Sequence, residues 1–230
     1  MSVLPPADTG VIRRSTGEQA ALYIRRLIFD GVLRPGARVQ QDEIAQTLGI
    51  SRIPIREALI ALEREGWVTI KIHRGAFICA MDAQTVRDHY ELYGMIYGFA
   101  ARRAFGREDD GLIKRLASIE GLIAASEDPV AIGRLSVEFH AAVVEAAHSP
   151  RIKVVLRAMS ALVPGEFFSE VPDAIDVQKR GTAAILRAGR RGDTDRVAEE
   201  YLRVMRRVGD KVVEVFDKRG LFDGADGVAT

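Results

Sequence analysis

The sequence predicts a mainly α chain in two parts: three short helices with a two-stranded hairpin, then a bundle of about six longer helices. Three observations carry this. Strand-like sequence is confined to "WVTIKI" (67–72) and "GAFICAM" (75–81), β-branched and aromatic runs on either side of a turn around "HRG". A tight "TLGIS" turn separates two short helical patterns just before that hairpin. After Met81 the periodicity is helical throughout, with long amphipathic stretches and no further strand.

The elements follow in order. From Gly17 to Asp30, Ala20, Ile24, Leu27 and Ile28 recur at helical spacing, and "GVLRPGARV" ends the segment with Gly and Pro. A second helix, "QDEIAQTLG" (41–49), has Ile44, Ala45 and Leu48 as its apolar face and Gly49 as terminator. The third is expected to begin at Ser51, with the Ser hydroxyl capping the first turn. Pro54 fits that turn, where a missing N–H breaks no helical bond. Ile55, Ala58, Leu59 and Leu62 give this helix a stripe to bury, and Gly66 closes it. Further helices are expected near 83–105, 109–126, 129–147, 150–168, 173–190 and 193–218, with turns at "FGRED", "SEDP", "HSP", "EVPD" and "GRRGD". The last carries Val197, Tyr201, Val204, Val208 and Val212 at 3–4 residue spacing, so it needs helical partners. The division expected is a disordered tail over 1–14, a helix-turn-helix unit over 15–80, a helical domain over 81–222 and a tail over 223–230.

Composition narrows the class. The chain is 47% hydrophobic and 28% charged, ordinary for a globular protein. Charge is mildly asymmetric: residues 1–80 hold 11 Lys+Arg against 8 Asp+Glu, and residues 81–230 hold 22 against 24. A nucleic-acid-facing N-terminal part is therefore allowed, though not required. One cysteine, Cys79, gives neither a disulfide framework nor finger spacing, which fits a reducing, cytoplasmic setting. "MSVLPPADTG" lacks a basic n-region, and no apolar run approaches the ~20 residues of a membrane span.

Three short helices plus a hairpin make a winged helix-turn-helix. In such a unit the third helix offers its first turns to the DNA major groove while the wing reaches a phosphate or the minor groove. Arg52 and Arg56 lie one turn apart beside the buried stripe, and Ile53 also faces outward. A guanidinium grips guanine bidentately or clamps a phosphate, and Ile suits a thymine methyl. The wing tip supplies Lys71, His73 and Arg74, with Gly75 for the turn. Simple solvated charge is the competing account of the arginines. Arg38 and Gln41 fit phosphate contacts or an ordinary helix start equally well, and Arg64 reads as a surface charge. Glu57 reads as a group that orients an arginine or caps an N–H.

The stretch "PGARVQQDEIAQTLGISRIPIREALIALEREGWVTIKIHRGAFI" resembles the winged-helix domain of the GntR family of bacterial transcription regulators, over roughly residues 15–80. The helical remainder resembles the FadR-like branch, whose effector domain is an all-helical, FCD-type bundle. The resemblance implies that Arg52 and Arg56 read or clamp DNA, with Ser51, Ile53, His73, Arg74 and Gly75 beside them. It also implies a homodimer on a palindromic operator. Many members of the branch hold a metal through an Asp, a His four residues on, and two later His. Here "VEFH" (137–140) puts His140 at the first histidine, with Ser136 where Asp would stand. The same resemblance places Thr182 and Val204 at the other two histidines. One imidazole with hydroxyls does not make a divalent site, so no metal and no cofactor are expected.

His140 then reads either as a core histidine satisfied by a hydroxyl or as an anchor for an organic effector, with Ser136 sharing either role. Tyr90, Tyr93, Met95, Tyr97 and Phe99 lie on several helix faces, assigned to packing first and to an effector pocket second. Gly94 and Gly98 allow a close helix approach or leave room for a ligand. Arg102 and Arg103 read first as a solvated helix end, and His89 and His148 as surface or cap residues. The expected function is a ligand-responsive DNA-binding repressor whose effector is a small molecule such as a carboxylate or acyl compound. The alternatives are a metal-responsive regulator and a DNA binder with an inert dimerisation bundle. An enzyme is not expected, because the chain has no Gly-rich phosphate loop, no G-x-S-x-G and no H-E-x-x-H.

Overall fold

The structure, a computed structural model, describes residues 15–107, 110–159 and 171–222. Among the described residues the chain forms nine helices and one two-stranded antiparallel sheet. The fold is mainly α, an N-terminal helix-turn-helix with a hairpin wing followed by a helical bundle.

Helix α1 (Thr16–Phe29) opens with a capping box. The Glu18 N–H donates to Ser15 Oγ at 3.1 Å, and the Ser15 N–H donates to Glu18 Oε2 at 2.9 Å. Its Ala20, Ile24 and Ile28 are buried as it packs on α3. Helix α2 (Gln41–Leu48) ends at Gly49, whose φ of +65° is the left-handed turn that glycine takes without a Cβ clash. Helix α3 (Arg52–Arg64) buries Ile55, Ala58, Leu59 and Leu62, the stripe expected from spacing. The Arg25 guanidinium forks onto the Glu65 carboxylate, Nη2 to Oε1 at 2.7 Å and Nε to Oε2 at 3.1 Å, bracing α1 against the end of α3.

The wing is β1 (Val68–Lys71) and β2 (Gly75–Ile78), in register from Val68 opposite Ile78 to Lys71 opposite Gly75. The outer side of β2 is also engaged. The Val39 N–H donates to the Ala76 carbonyl at 2.8 Å, and the Ile78 N–H to the Ala37 carbonyl at 2.9 Å. Residues 37–39 thus anchor the hairpin to the segment before α2. On the α3 side the Ile70 N–H donates to Glu63 Oε1 at 2.7 Å.

The bundle comprises α4 (Ala83–Phe105), α5 (Asp110–Ala125), α6 (Pro129–Ala146), α7 (Pro150–Met159), α8 (Pro172–Arg190) and α9 (Thr194–Lys218). Asp82, Asp128 and Asp193 accept first-turn N–H bonds of α4, α6 and α9, while Pro129 and Pro172 open α6 and α8. Residues 160–168, expected to continue α7, lie outside the described residues, as do the expected tails. Helix α9 packs most extensively on α4 and then on α8. Val197, Tyr201, Val204, Val208 and Val212 are all buried, as their spacing required. Gly94 and Gly98 serve close packing, since a Cβ on them would stand 3.0 Å from Leu202 Cα and 3.1 Å from the Ala198 carbonyl.

One hydrophobic cluster runs through both halves. Phe216 of α9 meets Phe29 of α1 edge-on, with centroids 5.8 Å apart. The Arg219 guanidinium lies 4.1 Å from the Phe29 ring centroid, and its Nη1 donates to the Phe29 carbonyl at 2.7 Å.

Candidate nucleic-acid interface and bundle core

The expected capping at the start of α3 needs correction. Ser51 occupies the N-cap with extended backbone, φ −75° and ψ 170°, yet its hydroxyl accepts no capping bond. Pro54, the third residue of the helix, lies in the first turn, where its missing N–H breaks no helical bond, so the helix entry stands without that cap. Arg52, Ile53 and Arg56 are exposed, whereas Ile55 and Ala58 are buried. Ile53 is 67% exposed, an isolated apolar side chain between two guanidiniums. Arg52 Nε sits 2.5 Å from Asp42 Oδ1 of α2. Both partners are well exposed, so this pair orients the guanidinium more than it stabilises the fold. Gln41 precedes Asp42 as the first residue of α2. Arg56 has no ion-pair partner among the described residues. Arg64 is exposed, and Glu57 leans on the start of α1, its Oε2 3.1 Å from where a Cβ on Gly17 would lie.

At the wing, Ile72, His73 and Arg74 form the exposed tip, closed by the Arg74 N–H donating to the Lys71 carbonyl at 3.0 Å. His73 takes φ +60°, which an L side chain adopts at some cost, and Gly75 takes φ +102°. The Lys71 ammonium lies 5.3 Å from the Phe77 ring centroid. Arg38 is brought to the same place: its Nε is 3.0 Å from the position a Gly75 Cβ would take. The fold therefore gathers Arg38, Lys71, His73 and Arg74 at the wing, while Arg52, Ile53 and Arg56 stand on the first two turns of α3. Cys79 lies just past β2, with its sulfur 3.2 Å from Thr69 Oγ1.

In the bundle His140 is buried and ringed by Tyr97, Phe139 and Tyr201. Gln178 Nε2 lies 3.0 Å from His140 Nε2, and Tyr201 Oη lies 3.4 Å from Nδ1. An amide NH₂ only donates, so Nε2 is the bare nitrogen and Nδ1 carries the proton toward Tyr201. Burial holds the imidazole at about 4, well below its ordinary value, and pushes the Tyr201 phenol up. Tyr93 and Tyr97 place their hydroxyls 3.3 Å apart, and Tyr97 stacks on Tyr201 at 5.4 Å. Ser136 and Thr182 are buried, but their hydroxyls donate to the Ile132 and Gln178 carbonyls of their own helices.

The residues that meet His140 across the bundle are thus Gln178 and Tyr201, one turn before Thr182 and Val204. A buried Gln at i−4 from Thr182 on the apolar face of α8 was the signal for the first. Tyr201 was legible as buried but not as polar. This donor set does not fit a divalent cation: one nitrogen of the only imidazole accepts from Gln178, the other is protonated, and both hydroxyls are spent on backbone. Among the described residues no cluster of His, Cys, Asp and Glu offers another such site. His89, inside α4 and half-buried, departs from its expected surface or cap role. It stacks 6.0 Å from Tyr93, and burial lowers its pKa. His148 is exposed at the end of α6 with φ +48°. Met95 and Phe99 face solvent, whereas Tyr90 and Tyr97 face the core. Arg102 pairs with Asp195 at 2.8 Å, as a solvated helix end does.

Comparison with known proteins matches this architecture. Residues 16–78 match the family model "Bacterial regulatory proteins, gntR family", and residues 88–207 match the FCD domain. An uncharacterized HTH-type transcriptional regulator of Mycobacterium tuberculosis is 34% identical over 159 residues, covering 69% of this chain and 65% of the relative. The Nta operon transcriptional regulator of Aminobacter aminovorans is 33% identical over 133 residues, covering 55% and 61%. The chain therefore spans less than two thirds of the length of these relatives. Among solved structures, E. coli McbR/YncC shares the fold with a TM-score of 0.63 at 16% identity, covering 90% of this chain and 99% of that one. With a GntR helix-turn-helix unit and an FCD domain in sequence, the chain belongs to the GntR family of bacterial transcription regulators.

Proposed function

We propose that the chain is a cytoplasmic, homodimeric, sequence-specific DNA-binding repressor, controlled by a small molecule bound in the helical domain. Residues 15–80 would bind a palindromic double-stranded operator, and residues 81–222 would dimerise and hold the effector. The observation that carries the DNA reading is the exposed Arg52–Ile53–Arg56 face on the opening turns of α3, with wing cations beside Gly75. Arginine reads guanine or clamps phosphate there, and the cationic wing adds sequence-independent attraction. Arg38, Gln41, Ser51, His73 and Arg74 are assigned to the backbone contacts. Dimerisation is supported by Leu92, Met95 and Phe99, exposed at i, i+3 and i+7 on α4. The relatives are named as transcription regulators rather than enzymes, and among the described residues no helix is long and apolar enough to cross a membrane.

The effector reading rests on Tyr97, Ser136, His140 and Thr182, polar groups buried in the bundle, and on the half-buried Tyr93 whose hydroxyl meets that of Tyr97. A carboxylate or acyl compound would act by binding one arrangement of the two halves more tightly than the other. The hydrogen bonding of His140, complete within the protein, favours a second reading in which the bundle only dimerises. Thermal-shift screening with carboxylates and acyl compounds, followed by operator release, separates the two.

For the DNA assignment, Arg52→Ala and Arg56→Ala should each weaken operator affinity about ten-fold or more, the scale of ~1–3 kcal/mol per base contact. Circular dichroism and sedimentation should be unchanged. Affinity should also fall steeply with salt. Retained affinity in both variants, or a flat salt response, would sink the assignment.

A further inference from the structure

We propose that the groove between α8 and α9 binds a compact, multiply charged anion bearing phosphate or carboxylate groups, held by Arg180, Arg187, Arg203 and Arg207. The two helices run antiparallel, joined by the turn at 191–193. Gly181 and Ala184 keep the α8 side of the groove low, leaving a cleft of about 310 Å³ floored by Val177 and Val204. That lies in the size range of small-ligand pockets.

The charge in this cleft is one-sided. Its walls carry Arg180, Arg187, Arg196, Arg203 and Arg207 against one carboxylate, Glu200, a local net charge of +4. Residues 81–230 as a whole carry −2. Arginines at i and i+4, as Arg203 and Arg207 are, repel one another at a small cost to the helix. Glu200 is only 6% exposed and accepts from Arg196 Nη2 at 2.8 Å and from Arg203 Nη1 at 3.1 Å. It thereby fixes two guanidiniums in place, as an outer carboxylate fixes a ligand residue. Arg196 is shared further with Glu199 at 3.0 Å. Among the described residues Arg180, Arg187 and Arg207 make no side-chain ion pair, so their forked donors stay available to an anion. Toward the end of the groove the charge is balanced, because Lys211 meets Glu214 at 2.9 Å and Asp173 at 3.6 Å. Arg180 and Arg207 border that end too, beside Asp210 and Glu214, so the excess positive charge is centred on the concave middle, which suits a compact ligand better than a duplex. The cleft is separate from the His140 cluster, whose α8 and α9 members are Gln178 and Tyr201.

Calorimetric titration of the intact protein near physiological salt, with inorganic pyrophosphate in one arm and citrate in the other, tests this. The expected result is saturable binding of one equivalent per chain by at least one probe, and the arm that binds identifies the phosphate or carboxylate source. Arg180→Gln with Arg207→Gln should weaken it at least ten-fold, and Arg187→Gln alone should weaken it by less. The charge-matched pair Arg64→Gln with Arg151→Gln should leave it unchanged. Absence of saturable binding with both probes, or equal weakening by both double variants, overturns the site. A groove double variant that lowers operator affinity without added anion, or that changes the sedimenting species, also overturns it by making the groove a macromolecular contact.

Discussion

Burial of a single imidazole has a consequence that can be measured at the residue scale. His140 is neutral in the fold because burial lowers its pKa to about 4, whereas the unfolded chain protonates it near the ordinary value of 6.5. The folded state therefore binds the proton more weakly. Its contribution is complete above about pH 6.5 and is lost as pH falls toward 4, on the order of 3 kcal/mol in all. His140→Gln keeps hydrogen-bonding capacity toward Gln178 and Tyr201 without titrating. The stability difference between pH 7 and pH 4.5, measured by urea unfolding, should be smaller in this variant by a few kcal/mol. Equal differences in both proteins would show that some other group governs the acid limb. At this scale the sequence offered residue types but not partners. Spacing along one helix placed His140 and Ser136 one turn apart, while Gln178 and Tyr201 come from helices whose rotation only packing fixes.

Between elements, the α4–α9 seam depends on glycines from both sides. A Cβ on Gly209 would stand 2.8 Å from Tyr90 Cβ, an atom fixed by the α4 backbone. Gly209→Ala should therefore destabilise by about 1–3 kcal/mol through overpacking, despite the better helix propensity of Ala. Gly121 on α5 has no atom within 4 Å of its would-be Cβ, so Gly121→Ala should stabilise by about 0.5–1 kcal/mol. Chemical denaturation of the two variants checks both signs, and the same sign in both would contradict the seam. Three exposed ion pairs flank it: Arg87–Asp210, Arg206–Glu91 and Arg102–Asp195. Exposure limits each to a small contribution, so close helix packing sets the geometry. The capping residues follow the same division. Asp82, Asp128 and Asp193 cap as their positions suggest, while Ser51 sits in the right place without making its bond.

At the scale of the molecule, α9 is the element common to both halves. It carries Tyr201 against His140 and, about 22 Å further along at 1.5 Å per residue, Phe216 against Phe29. A shift of α9 imposed at the bundle core would reach the end of α1 directly. Arg219 closes this contact through the Phe29 ring and carbonyl and through Asp30 at 3.3 Å. Arg219→Ala should raise amide hydrogen exchange at the end of α1, around residues 26–30, with the α4–α9 amides unaffected. Unchanged protection there, or uniform acceleration across the chain, would remove α9 from the connection between the halves.

The amino-acid sequence by itself determined the element order, the wing, the outward pair Arg52 and Arg56, and the buried stripes of α3 and α9. These follow from local periodicity and turn chemistry, which a chain expresses before it packs. Only the tertiary structure decided which side chains meet His140, that Arg38 joins the wing tip, and that Asp42 tethers Arg52. It also decided that His89 lies half-buried and that five arginines share one groove. Such pairings depend on how far each helix is rotated and how closely two helices approach, quantities that no single helix encodes.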